Sequence, residues 1–297
     1  MYDIKALYEA ESTAHAIELL GKYPEARIIA GGSDVLIEIR DAMLASRGKH
    51  PECTLVSIQK LDELRGVCID ENGGIRIGAM TSISHIAKDP VIRKHLPVLA
   101  EAAETIGGPQ LRNIATIGGN VCNGVTSADT ASTLMALDAL MEYASPGGKR
   151  TVPIKEHYVA AGKTALAHDD ILTAIIIPKE SYENCFGHYI KYAMREALDI
   201  ATIGCSANVR LSNDKKTVER IRLAYGVAGP VPMRTPSAEV AARPVSGETV
   251  NAAAKAALDD LRPRTSWRAS AEFRLHLAEE LARRALRESI VRAGGVL

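Results

Sequence analysis

Two short apolar stretches, each running into a pair of glycines, constrain this chain more than any other feature: RIIAGGSDVL at 27–36 and LRNIATIGGNV at 111–121. In the first, Ile28, Ile29 and Ala30 read as a buried strand. Gly31, Gly32, Ser33 and Asp34, ahead of Val35, read as a reversal whose glycines permit positive φ and close approach of a ligand. Successive backbone N–H groups in such a turn form a concave nest for an anion. In the second, the apolar run read as a short strand leads to Gly118, Gly119 and Asn120, with Thr116 and Asn120 adding side-chain donors suited to a pyrophosphate or a polyol chain. One glycine pair alone is an ordinary tight turn. Two in one chain point to a dinucleotide held by backbone amides.

The surrounding pattern interleaves helices and strands. Ser12 and Thr13 cap a helix over 12–20 that Gly21 stops, and 55–58, 67–69 and 75–77 read as strands, the last two joined by the turn at 71–74. Thr81 caps a helix to Ala87, a further helix covers 97–106, and 130–139 is another. A hairpin is expected around the turn at 146–149, and the buried strand 171–177 ends at Pro178. The polar run at 179–181 marks a domain boundary, giving units of 1–178 and 181–297. The second unit places strands at 189–194, 201–210 and 220–227 before two helices. The last helix, 270–293, carries Phe273, Leu277 and Leu281 as a core stripe with Glu279–Arg283 and Glu280–Arg284 pairs outside. Trp267, the single tryptophan, is either a partner contact or a core anchor for the last helix, with the core favoured.

Composition narrows the function. With 36 basic and 36 acidic side chains, nothing suggests nucleic acid or an anionic membrane. The 171–177 run is too short to span a bilayer and Met1–Lys5 shows no leader pattern, so the expectation is a cytoplasmic protein. Cys53, Cys68, Cys122, Cys185 and Cys205 contain no C-x-x-C pair and read as reduced, mostly core thiols. The eight histidines lack H-x-x-x-H spacing, so no metal site is expected. There is no G-x-G-x-x-G and no G-x-S-x-G, and the P-loop-like Ala161–Thr164 has His157 where its first glycine belongs.

Five blocks then meet a family in order: RIIAGGSDVL, GPQLRNIATIGGNVCNGVTSADTA, KYAMREALDIATIGCSANV, RLAYGVAGPVPMR and PRTSWRASAEFRLHLAEELARRAL. They resemble the FAD-binding subunits of molybdenum hydroxylases, most of all the small flavoprotein subunit of bacterial xanthine dehydrogenases. The resemblance implies an α+β chain: a two-part FAD-binding domain of the vanillyl-alcohol oxidase type, followed by a small C-terminal domain of the CO dehydrogenase flavoprotein type. It implies non-covalent FAD, with Ile28, Ile29, Ala30, Gly31, Gly32, Ser33, Asp34 and Val35 around the pyrophosphate and Thr116, Ile117, Gly118, Gly119 and Asn120 as a second cradle. Asp129, Leu172 and Lys191 match further FAD-contacting positions. Ile106 falls where larger relatives place an aromatic against the flavin.

Physical chemistry assigns these residues different work. Asp34 orders its turn through backbone N–H groups, since two anions repel. Asp129 either accepts from ribityl or ribose hydroxyls or caps the helix that follows. Lys191 either stabilises negative charge near flavin N1 and C2=O or is a solvated strand lysine. Arg195 and Asp199 are either a surface ion pair or a border of the flavin. No side chain is expected to be a catalytic acid, base or nucleophile. The resemblance further implies electron transfer: a large subunit carries the molybdenum cofactor and hydroxylates a purine, a second carries [2Fe-2S] clusters, and FAD here passes hydride to NAD+. A dimer of heterotrimers is the implied assembly. Sister enzymes acting on nicotinate, other N-heterocycles, aldehydes or CO, and stand-alone FAD reductases, are the alternatives.

Overall fold

The computed structural model describes residues 4–45 and 53–297; Met1–Asp3 and His50, which entered the reading of the leader and the histidine spacing, lie outside them. The chain opens on a small parallel sheet. Strand β1 (Ile4–Glu9), helix α1 (Thr13–Lys22), strand β2 (Arg27–Ile29), helix α2 (Val35–Ala45) and strand β3 (Cys53–Ser57) assemble with β3 between β1 and β2. Ser12 caps α1 by accepting from the His15 N–H, but the helix runs past Gly21 to Lys22. A glycine costs an exposed helix about 1 kcal/mol and does not by itself end it. The first glycine turn leads straight into α2, a helix its sequence does not announce.

β4 (Val67–Ile69) and β5 (Ile75–Gly78) flank the expected turn. Helix α3 (Ile83–Lys88) is capped by Ser82, whereas the Thr81 hydroxyl bridges the N–H and C=O of Gly66. Helices α4 (Pro90–His95) and α5 (Pro97–Glu104) follow. The expected second strand is instead helical, as α6 (Pro109–Ile114) and α7 (Ile117–Cys122). The start signals are present in the sequence: Pro109 opens α6 and Thr116 caps α7 by accepting from Gly119. The isoleucines between them mimic a strand.

After α8 (Asp129–Ala136), the hairpin β6 (Leu140–Ser145) and β7 (Gly148–Pro153) leads through α9 (Ile154–His157) to β8 (Tyr158–Ala160), β9 (Lys163–Thr164) and β10 (Ile171–Ile177). β4, β5, β10, β6 and β7 form one antiparallel sheet with β10 at its centre. A short helix α10 (Lys179–Tyr182) leads to the last sheet: β11 (Cys185–Tyr192), β12 (Ile203–Leu211), β13 (Thr217–Gly226), β14 (Met233–Arg234) and β15 (Arg243–Pro244). Helices α11 (Gly247–Ala256) and α12 (Ala271–Arg292) close the chain.

Register in the last sheet decides what faces the site. Ile190, Cys205 and Tyr225 lie in one cross-strand row, and Cys205 and Tyr225 are buried with Leu277, Leu281 and Ile290 of α12. One residue along, Tyr189, Ser206 and Ala224 point the other way, and Tyr189 and Ala224 join the core of α5, α8, β5 and β10. Strand period two puts Lys191 on the same face as Tyr189. Opposite Lys191 stand Gly204 and Gly226, and a Cβ on Gly204 would come within 2.8 Å of the Tyr189 hydroxyl oxygen. The last sheet therefore reaches into the first core with one tyrosine and one lysine.

The α12 stripe holds for Leu277 and Leu281, and its outer Glu–Arg pairs form. Phe273 departs from it: it is 42 % exposed and meets Tyr192 edge-on. Trp267 is 77 % exposed, with the Arg268 guanidinium over its ring at 4.2 Å, so it is not a core anchor. All five cysteines are free thiols, Cys53 and Cys205 buried and Cys68 exposed. Among the described residues no cluster of side chains could hold a metal, and no helix is long and apolar enough to cross a membrane.

Candidate functional site

The two glycine segments meet in space. A Cβ on Gly31 would collide with the carbonyl of Ile114, so the first turn lies against the end of α6, one residue from the segment that starts at Thr116. Gly32 turns the chain with φ +75°. Among the described residues, nothing accepts from the amides of residues 31–34. Unpartnered amides in a glycine turn suit an anion.

The second segment has spent its amides. Ile117 N–H donates to Thr81 O at 3.0 Å, Gly118 to Ala79 O at 2.8 Å, Gly119 to the Thr116 hydroxyl at 3.0 Å and Asn120 to Thr116 O at 2.9 Å. A Cβ on Gly118 would sit 2.6 Å from Ala79 O, so this glycine exists for close packing rather than for an unusual φ. What α7 offers is the exposed edge of Gly119 and the amide nitrogen of Asn120, whose oxygen takes the Thr130 hydroxyl. Asp34 accepts from no amide of its own turn. Its carboxyl lies beside the Asn123 side chain, and partial burial, with Glu38 nearby, raises its pKa. It thus ties the first turn to the end of α7.

Asp129 and Lys191 form the electrostatic centre. Ala128 holds the cap position of α8 without a side-chain bond, and Asp129 occupies the first turn itself, which rules out the capping role. Its two oxygens accept from different donors, the Tyr189 hydroxyl and the Lys191 ammonium, each at 2.9 Å. Lys191 also donates to the carbonyl of Thr105 at 3.0 Å. Both members of the ion pair are only 9 % exposed, which excludes a solvated strand lysine. Burial pushes the Asp129 carboxyl up, opposed by Lys191 and Tyr189, and burial beside Asp129 drives the Tyr189 phenol far up.

Lys191 and Thr105 line a cavity of about 270 Å³ with residues 192–197 and Asp199. Arg195 and Asp199 shape its rim as an internal turn. Asp199 accepts from the Arg195 N–H at 2.9 Å and lies 3.5 Å from its guanidinium, and Leu198 packs over Gly107 and Gly108 at the start of α6. That helix, six residues and about 9 Å long, runs from the cavity to the first glycine turn. Ile106 and Leu172 are buried side chains of the central core, and the Ile106 carbonyl already accepts from Arg112 at 2.9 Å. Tyr189 and Thr105 escaped the sequence reading. The signal for Tyr189 was its i, i+2 spacing from Lys191.

Comparison with known proteins identifies the family and the domain order. Residues 2–180 match the family model described as the FAD binding domain in molybdopterin dehydrogenase, and residues 188–289 match the CO dehydrogenase flavoprotein C-terminal domain. The chain belongs to the FAD-binding subunits of the molybdenum hydroxylases. It is 44 % identical, over all of both chains, to the putative xanthine dehydrogenase FAD-binding subunit XdhB of Escherichia coli K12. It is 31 % identical to the carbon monoxide dehydrogenase medium chain of Hydrogenophaga pseudoflava over 93 % of both chains. A solved carbon monoxide dehydrogenase from that organism superposes with TM-score 0.89 at 30 % identity, covering 98 % of this chain and 99 % of that one. This FAD-binding subunit thus has the expected domain order, an FAD domain followed by a CO dehydrogenase flavoprotein C-terminal domain, and its relatives belong to multi-subunit molybdenum enzymes.

The residues present fit FAD. The unpartnered amides at 31–34 suit a pyrophosphate, and the Asn120 side-chain amide nitrogen suits a hydroxyl. A buried ammonium at a cavity wall suits a ring that gains electron density.

Proposed function

We propose that this chain is the electron-transfer subunit of a xanthine dehydrogenase-type enzyme, taking electrons from a [2Fe-2S] subunit and reducing NAD+. The observation that carries the reading is the Lys191–Asp129 pair, with its ammonium at the cavity and its carboxylate behind it. When bound, FAD supplies hydride exchange on one side and single-electron exchange on the other. The amides at 31–34 would hold the pyrophosphate, and the Asn120 side-chain amide would orient the chain beyond it. Lys191 favours an electron-richer occupant of the cavity. Thr105 and Asp129 fix its ammonium so that little reorganisation accompanies the charge change. No side chain is assigned as acid or base in this reading.

Xanthine as the substrate of the whole enzyme is supported by the 44 % identity to a subunit bearing that name, against 33 % for a nicotinate dehydrogenase FAD-subunit. Hydroxylation itself is assigned to the molybdenum subunit, within a cytoplasmic dimer of heterotrimers. The domain boundary at 178–181 is part of the same reading, supported by the passage there from β10 of the second sheet to β11 of the third. The test is the visible spectrum of the purified chain before and after anaerobic NADH. Flavin bands that bleach support NAD+ as acceptor; bands that persist, in the chain and in the assembled complex, refute it.

A further inference from the structure

A second cavity, of about 380 Å³, opens beside the loop 193–202 and is lined by Arg262, Arg264, Arg268 and Arg274 with Trp267 and Ser127. In a chain of zero formal charge, four guanidiniums share this wall, and no acidic side chain lines it. None of the four forms an ion pair among the described residues. Arg262 donates to the carbonyls of Asp259 and Leu261, and Arg274 to those of Thr202 and Arg264 and to the Ser266 hydroxyl. Arg268 stacks on Trp267 and keeps a buried Nε without a partner. Burial, and then the like charges of Arg264 and Arg268, hold the Arg274 guanidinium below its ordinary value. Positive charge concentrated without counter-charge is electrostatically costly, and an anion in the cavity relieves it.

We propose that this cavity binds a nucleoside diphosphate, its phosphates on Arg262, Arg264 and Arg268 and its base on the open face of Trp267. Arginine forks match phosphate oxygens two at a time. An indole that is 77 % exposed, with a guanidinium already on one face, offers a stacking platform on the other. The volume lies in the range of small-molecule sites, and the Ser127 hydroxyl suits a ribose. The site is separate from the amides at 31–34 and does not depend on which acceptor the flavin serves.

Because Trp267 is the single tryptophan, its fluorescence reports on this cavity alone. The experiment titrates the FAD-loaded full chain with ADP, so that the dinucleotide site is filled. A saturable change is expected, absent with adenosine, weakened by salt, and about tenfold or more weaker in Arg264→Ala and in Arg268→Ala. Arg264 is exposed, so its variant retains flavin and fold. Calorimetry on Trp267→Phe gives a second readout, with ADP heat reduced but present. No response to ADP by either method, an equal response to adenosine, or unchanged binding in both arginine variants overturns the proposal. So does burial of Trp267 by an acidic partner subunit with no effect of ADP.

Discussion

Replacing Asp129 by alanine tests the centre of the site. The change strips the Tyr189 hydroxyl of its acceptor and leaves the Lys191 ammonium, in a side chain 9 % exposed, with only the Thr105 carbonyl at 3.0 Å. Removing one member of a buried ion pair costs about 3–5 kcal/mol, because the remaining charge is uncompensated; replacing both by apolar groups is often close to neutral. Asp129→Ala is therefore expected to lose about 3–5 kcal/mol of unfolding free energy. The double variant Asp129→Ala/Lys191→Met should be more stable than Asp129→Ala alone. Its total loss should fall at least about 2 kcal/mol short of the sum of the single losses. Urea unfolding followed by circular dichroism, at fixed FAD, measures all four corners of the cycle. Losses that add within about 0.5 kcal/mol would show that the pair is not coupled and that Lys191 does not need Asp129.

Other outcomes follow from single positions. Gly31→Ala drives a methyl into the Ile114 carbonyl and should cost about 1–3 kcal/mol and at least tenfold in FAD affinity, read by flavin fluorescence. Gly21→Ala, where nothing lies within 4 Å inside α1, should instead stabilise the chain by about 0.5–1 kcal/mol. His157 is fully buried against the Tyr143 hydroxyl, and burial lowers its pKa from 6.5 to about 4. The unfolded chain then binds the proton first on acidification. Its contribution, at most about 3 kcal/mol, is complete above pH 6.5 and is lost as pH falls towards 4. Unfolding midpoints of wild type and His157→Gln should converge across that window; parallel curves would remove His157 from the acid response.

What the sequence made legible was what local chemistry dictates. The first glycine turn, the β6–β7 hairpin, the buried β10 and the long α12 each follow from turn residues, caps or periodicity acting over a few positions. The errors arose where tertiary packing decided. The isoleucines of α6 and α7 suit a strand by propensity, yet Pro109 and the Thr116 cap, with Gly118 pressed on Ala79, hold them helical. Trp267 favours a core by residue type, yet it is exposed on the wall of a cavity with Arg268 over its ring. Asp129 and Lys191 were both singled out, while their bond was invisible. They are 62 residues apart, and only the register of β11 on β12 turns Lys191 towards α8.

That register explains how the last sheet reaches the candidate site although most of its core packs on α11 and α12. Lys191 stands where it does because β11 is fastened to the first core along its length. Glu101 of α5 accepts from His188 Nδ1 at 2.8 Å and from the Tyr189 N–H at 3.2 Å, and Arg292 at the end of α12 bridges the same carboxylate and the carbonyl of Gly187. At the far end of α8, Asp138 joins Arg222 of β13 and Arg234 of β14. A helix from the first unit is thus clamped at both ends by the last sheet, with Asp129 at one end and Asp138 at the other. The proposed pyrophosphate anchor is the first turn, backed by the Ile114 carbonyl of α6. The Lys191 charge at the cavity wall is a long-range product of two cores locked together, so on the proposed reading cofactor anchoring and flavin tuning are open to separate mutation.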